Sequence, residues 1–445
     1  MLRSAAVDAV ITPMPPVADV ALPWDRTLDD PVATLADARR RVGDTFVVEG
    51  PGYPTLFVFS PEGVRSFYAL PEAEASKGVA DWMMLTRKLP DELFLGRRTY
   101  PGELFGREDV AAYLAQLRGA IAVAFDELGD AGEVDLFAFT RRLGHRMGLA
   151  CWAGEVPSRA ARFDTLVAAF DALDGSDAFV HPEEMARVAA AGKREEQAAL
   201  AVVEDLLVES IRRRDAAPPE DDLFARIVAR WDGEPEPSRS TGIARDVVLV
   251  HLGSMSNLFA ATGWMLAQLA AHTAILDRVR AGEDGLLERC ALESTRLGQR
   301  SIMLRAVLAP TTVRDEQHVY AVSPGAQIAT LLPLTNTTAM PGLEGYEPDR
   351  WNRRRLRDEA VLPARELVTT FGHGAHTCPA QPFSLAAMCL SAERLFGTYD
   401  VVPRFTDVRP LPVQIGGVAR AAAPCVVEYR RRPPGGAGGD AGGDA

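Results

Sequence analysis

Positive charge is in short supply: 48 lysine and arginine residues face 61 acidic ones, for a net charge of −13 over 445 residues. Neutralising a phosphate backbone needs a basic face, so nucleic acid is not expected as a partner. Cysteine is scarce too. Cys151, Cys290, Cys378, Cys389 and Cys425 are an odd, scattered set without a CxxC pair, which fits neither a disulfide framework nor a zinc site and points to a reducing cytoplasm. Long unbroken apolar runs are also missing. Asp8, Pro13, Pro15 and Pro16 interrupt the stretch a signal peptide or anchor would need. The longest apolar segment, 247–271, contains His251, Ser254, Ser256, Asn257, Thr262 and Gln268, so it reads as a buried helix and no membrane association is expected. No internal repeat is visible.

What is present is a globular composition, 47% hydrophobic and 24% charged, enough to bury a large core. The acidic, proline-containing breaks at 215–222 and 233–238 are too short for interdomain linkers and read as loops, so a single domain is expected. Two apolar, β-branched and aromatic runs at 45–50 and 54–60, separated by Pro51, Gly52 and Tyr53, predict a hairpin. Ser60-Pro61-Glu62 then opens a short helix through Tyr68, because proline at the first helical position loses no N–H that the helix uses. Apolar residues at helical spacing predict helices over 107–130, 134–152, 158–173 and 182–214. A long helix over 242–271 follows, then two near 273–282 and 284–300, with short strands around Val307, 320–322 and 327–332. The composition and pattern are mainly α with a smaller β-rich part.

The segment FGHGAHTC (371–378) places two glycines ahead of a cysteine, and the helix-like run SLAAMCLSAERLF comes soon after it. Glycines let the backbone approach a ligand closely, while amide N–H groups and a helix dipole stabilise a negative sulfur. This pattern suits a metal thiolate; the plain alternative for Cys378 is a small buried hydrophobe. The loop resembles the cysteine loop of the cytochrome P450 family, in which a phenylalanine, two spaced glycines and a basic residue precede the ligand cysteine. Upstream, ESTR (293–296) puts a carboxylate and a guanidinium on one helix face, and YEPDRW (346–351) follows a strand region. That order is similar to the family's Glu-Arg-Arg triad.

The resemblance implies a cytochrome P450 fold over 20–432, with 1–19 as an N-terminal extension, a β-rich lobe near the N-terminus and heme between the long central helix and the cysteine loop. The glycine-rich tail 433–445 has nothing to bury and is expected to be disordered. It further implies Cys378 as ligand of a heme b iron, Phe371 against the sulfur, His376 and Arg305 on the two propionates, and Glu293, Arg296 and Arg350 as a structural lock. For Arg305 the plain alternative is a surface arginine.

The central helix departs from the family pattern. In HLGSMSNLF (251–259), Gly253 takes the small-residue position, Met255 stands where an acid is usual, and Ser256 takes the alcohol position. Ser256 and Asn257 are the catalytic candidates, as donors to bound oxygen or substrate, against the alternative of polar residues bonding to their own helix. His251 and Thr262 read as packing or capping residues. The aromatic and basic residues Trp82, Arg87, Arg97, Arg98 and Tyr100 lie where the family often covers its substrate pocket, and packed aromatics with solvated arginines is the simpler reading there.

Three functions remain open. One is a monooxygenase oxidising a small organic molecule in bacterial secondary metabolism, with dioxygen as co-substrate and electrons from a ferredoxin and its reductase docking on the cysteine side. The second is a reductant-independent isomerase or dehydratase, motivated by the missing acid. The third is a non-catalytic helper of a partner enzyme, against which the intact cysteine loop argues. Pro379 adds a prediction: proline removes one N–H donor beside the sulfur, so the iron potential is expected to be lower than in Pro379→Gly. Equal ferric/ferrous potentials in the two proteins would sink that expectation.

Overall fold

The structure is a computed structural model and describes residues 9–433 apart from 107–108, 155–156, 159–160, 162, 175–179 and 219. The glycine-rich tail from 434 onward and the first eight residues lie outside the described residues. Helix dominates, with four small sheets attached.

The central helix, Ser238–Ala271, runs for 34 residues, about 50 Å at 1.5 Å per residue. From Leu258 to Ala270 every residue is buried, because helices cover it on several sides: Leu136–Trp152, Arg194–Ala216, Leu286–Gly298 and Gln381–Thr398 all pack against it. It is the one helix among the described residues long and apolar enough to cross a membrane, and it is the core helix. The close crossing with Leu136–Trp152 depends on Gly148, where a Cβ would stand 2.6 Å from Trp152 and 2.8 Å from the Met255 sulfur.

The predicted hairpin forms as Thr45–Glu49 and Pro54–Val58, paired antiparallel. Ser60 caps the helix Pro61–Ala69 by accepting from the Gly63 N–H, as the Ser-Pro-Glu signal implies. The β-rich lobe is not local to the N-terminus, however. Its sheet runs Thr45–Glu49, Pro54–Val58, Gln327–Leu331, Ile302–Val307, Ala75–Ser76, so two of the inner strands come from beyond residue 300. Pro54–Val58 pairs parallel with Gln327–Leu331, a long-range pairing that no local pattern announces. Ile11–Thr12 pairs with Val319–Val322, and Tyr399–Pro403, Val426–Arg431 and Ala131–Asp135 form a separate sheet.

The expected helix over 182–214 is two helices, Pro182–Ala190 and Arg194–Ala216. The chain breaks at Gly192 and Lys193, both left-handed. The Lys193 ammonium repays the strained backbone by donating to the carbonyls of Thr86 and Leu89 and to the Asp91 carboxylate.

Candidate functional site

The cysteine loop is built on backbone hydrogen bonds. Cys378 N–H donates to Phe371 O at 2.7 Å, His376 N–H to His373 O and Thr377 N–H to Gly374 O. Gly372 has φ +83°, and a Cβ there would stand 2.3 Å from the His376 carbonyl oxygen, so only glycine closes this turn. The loop delivers Cys378 three residues before the helix Gln381–Thr398. Burial pushes the thiol up, while the Ala380 N–H and the charge of Lys77 act against that. Pro379 contributes no N–H. Phe371 is half-buried and packs on the main core.

Arg305 lies on the strand Ile302–Val307 and is 1% exposed. It donates to the carbonyls of Leu70 at 2.9 Å and Ala75 at 2.7 Å, and its guanidinium stacks 5.1 Å over the Phe67 ring. Its Nη2 reaches His376 Nε2. Since the guanidinium only donates, His376 accepts there and carries its proton on Nδ1. Burial lowers the pKa of both groups, and for His376 the Arg305 charge adds to the effect. Arg305 Nε is buried with no hydrogen-bond partner. Glu72, which the sequence did not single out, stands 3.2 Å from His376 Nε2 and accepts from Ser76 Oγ.

A cavity of about 430 Å³ opens against one face of the central helix, where Leu252, Gly253, Ser256 and Asn257 line it. Strand residues 301–304, the loop 414–418 and Leu173 enclose it from other sides. Gly253 has nothing within 4 Å of where its Cβ would be. The Asn257 carbonyl accepts from Val418 N–H at 2.8 Å, which ties the loop to the helix. Trp264 Nε1 donates to Ala419 O at 2.7 Å and fixes it a second time. Met255 is 1% exposed and faces Gly148 on the opposite side, so the position where an acid would stand is turned away from the cavity. The structure thus joins Gly253, Ser256 and Asn257 in one wall, and Arg305 with His376 at one point. Cys378 and Phe371 are not in that wall. Lys77 bridges the two groups, since it lines the cavity and its charge acts on both His376 and Cys378.

His251 does more than pack. Trp152 Nε1 donates to His251 Nδ1 at 3.2 Å, and His251 Nε2 lies 2.8 Å from His145 Nδ1. Indole can only donate, so a neutral His251 holds its proton on Nε2 and passes it toward His145. Burial and the neighbouring His145 hold His251 well below its ordinary value, hence neutral. His145 Nε2 then lies 3.3 Å from the Asp171 carboxylate, close enough for an electrostatic contact but without hydrogen-bond alignment. Nothing in a one-dimensional pattern pairs His145 with His251, 106 residues apart. Burial pushes the Asp171 carboxyl up, but the neighbouring His145 and the hydrogen-bonded Arg141 outweigh it and the net shift is downward. The stability this group adds is therefore full above the ordinary carboxylate pKa of about 4 and is lost as pH falls through the lower folded value. In urea titrations the gap between wild type and Asp171→Asn is expected to narrow as pH drops from about 6 to about 3; a constant gap would contradict the assignment.

No family model and no curated protein matches the sequence. Among solved structures, the retinoic acid-bound cyanobacterial CYP120A1, a cytochrome P450, superposes with a TM-score of 0.72 at 17% identity, covering 94% of this chain and 100% of that one. The chain has the cytochrome P450 fold. Within that P450 fold the helix Ser238–Ala271, the strand Ile302–Val307 and the loop 371–378 are the elements that carry the candidate residues.

Proposed function

We propose that this chain is a heme-thiolate enzyme of the cytochrome P450 family, a monooxygenase that oxidises a small organic molecule with dioxygen. The observation that carries this reading is the cysteine loop, a glycine-closed turn that aims the Ala380 N–H at the Cys378 sulfur. The residues present fit a heme b. Arg305 Nε is a buried orphan donor beside His376, so a propionate arriving there would satisfy it and separate two groups that otherwise crowd each other. Gly253 leaves open space on the facing helix.

Cys378 would ligate the iron, with Phe371 against the sulfur and Arg305 and His376 on the propionates. The thiolate-bound heme, when present, supplies activation of dioxygen. Ser256 Oγ would hold a proton at the cavity wall, and Asn257 Nδ2 would orient a substrate oxygen while its carbonyl stays on Val418. Electrons would come from a ferredoxin and its reductase. Arg353, Arg355 and Arg357 are exposed on or beside the hairpin Trp351–Asn352/Arg355–Leu356, and the Arg354 charge acts on Cys389 of the helix that follows the cysteine loop, which supports docking of an acidic partner on that side. A cytoplasmic role in bacterial secondary metabolism completes the reading.

A second reading rests on Met255, whose position leaves no acid on the cavity-lining turn. It is a reductant-independent isomerase or dehydratase. The purified protein, reduced and treated with carbon monoxide, is expected to show the red-shifted Soret band of thiolate-ligated heme; protein that takes up no heme overturns both readings and leaves the helper. Turnover with and without NADPH and redox proteins then separates them, since turnover without reductant excludes the monooxygenase.

A further inference from the structure

A second chamber of about 330 Å³ lies beside the cavity. Trp24, Ala80, Met84 and Leu304 line both spaces, so the two chambers share a wall. Ala80 and Leu304 are buried in the core. Met84 and Trp24 are partly buried, and an unbranched thioether adapts to whatever passes it.

The chemistry of the outer chamber differs from that of the inner one. Trp82 is 44% exposed and Tyr53 41% exposed, unusual for large aromatics. Asp25, Arg87 and the buried Gln327 line the chamber as well. The Asp25 carboxylate and the Arg87 guanidinium act on each other electrostatically. Burial raises the Asp25 carboxyl and lowers the Arg87 guanidinium, and the attraction between the two charges opposes each shift; Asp25 is exposed and Arg87 half-buried, so a ligand in the chamber can reach both.

We propose that the outer chamber binds a polyhydroxylated ring, a glycosyl-type group, attached to an apolar body that occupies the inner cavity. Exposed indole and phenol faces offer flat apolar platforms with a polar edge. A carboxylate and a guanidinium lining one chamber supply planar acceptors and donors that match the hydroxyls of a ring, which both donate and accept. The inference rests on the inner cavity being the substrate site of the proposed enzyme, and it assigns the class of substrate that site takes.

Octyl β-D-glucoside, kept below its micelle concentration, and 1-octanol are titrated into the full chain and followed by calorimetry and indole fluorescence. Each hydrogen bond to a charged group is worth about 1.5–3 kcal/mol, so the glucoside is expected to bind at least about ten-fold tighter than octanol. That preference is expected to fall to near one in Asp25→Leu and in Arg87→Met, with octanol affinity unchanged. Trp82→Ala, which leaves both charges in place, is expected to weaken the glucoside alone. Equal binding of the two probes, a preference that survives both charge substitutions, or no binding of either probe would overturn the proposal. Because neither readout needs bound heme, loss of the carbon monoxide signature with the glucoside preference intact overturns the heme-thiolate reading alone.

Discussion

Cys378→Ala is expected to abolish the red-shifted Soret band of the reduced, carbon monoxide-treated protein and to leave the fold in place. The loop does not depend on the side chain. Its closing bond runs from the Cys378 backbone N–H to Phe371 O, and the turn is set by Gly372, both of which alanine preserves. What is lost is the sulfur that receives the Ala380 N–H. The other cysteines supply the control. Burial pushes Cys290 up to about 11 and Cys389 and Cys425 up to about 12, and pushes the fully buried Cys151 up as well, so these remain thiols and are poor metal ligands. Cys389→Ala, on the helix just past the loop, should therefore keep the band. A Cys378→Ala protein with an unchanged spectrum, or a Cys389→Ala protein that loses it, would remove Cys378 as the iron ligand.

Glu293→Ala is expected to destabilise the chain by about 3–5 kcal/mol, the cost of stranding a buried charge. Glu293 and Arg296 are both 0% exposed. The carboxylate accepts from Arg296 Nε at 2.9 Å and Nη2 at 2.7 Å, from Arg350 Nε at 2.8 Å, from the Trp351 indole at 2.9 Å and from the Glu347 N–H at 3.0 Å. Arg296 turns its remaining donors to the carbonyls of Asn336, Leu343 and Gly345. One carboxylate thus holds the helix Leu286–Gly298 against the chain at 336–351, and alanine leaves the Arg296 guanidinium without a counter-charge in a site water does not reach. Glu293→Gln keeps the shape and some acceptors, so it is expected to fall between wild type and Glu293→Ala. Urea midpoints and soluble yield measure the series; an alanine variant as stable as wild type would show that the cluster is not the lock its geometry implies.

The cysteine loop was legible in the sequence because its chemistry is local. Gly372, Cys378 and the following helix lie within some 30 residues, and glycine spacing, a sulfur and a helix start keep their meaning in any context. The Glu293–Arg296 pair was legible for the same reason, since a spacing of three residues puts both on one helix face. The break at Gly192 and Lys193 falls inside an alanine-rich periodic segment, and the cost of the left-handed Lys193 is offset by acceptors near residues 86–91 that are distant in the chain.

The mainly helical class, the hairpin, the buried central helix and the cysteine loop all follow from the chain's local pattern, because each depends on contacts between residues a few positions apart or on the period of apolar side chains. Folding in three dimensions set the rest: the Asn257 carbonyl is committed to Val418, Met255 faces Gly148 and not the cavity, His251 bonds to His145 beside Asp171, and Asp25 and Arg87 line one second chamber. These facts depend on the direction of a side chain relative to segments tens to hundreds of residues away. A hydrogen bond or a close packing contact acts over about 3–4 Å in space, and no period or propensity along the chain encodes that distance.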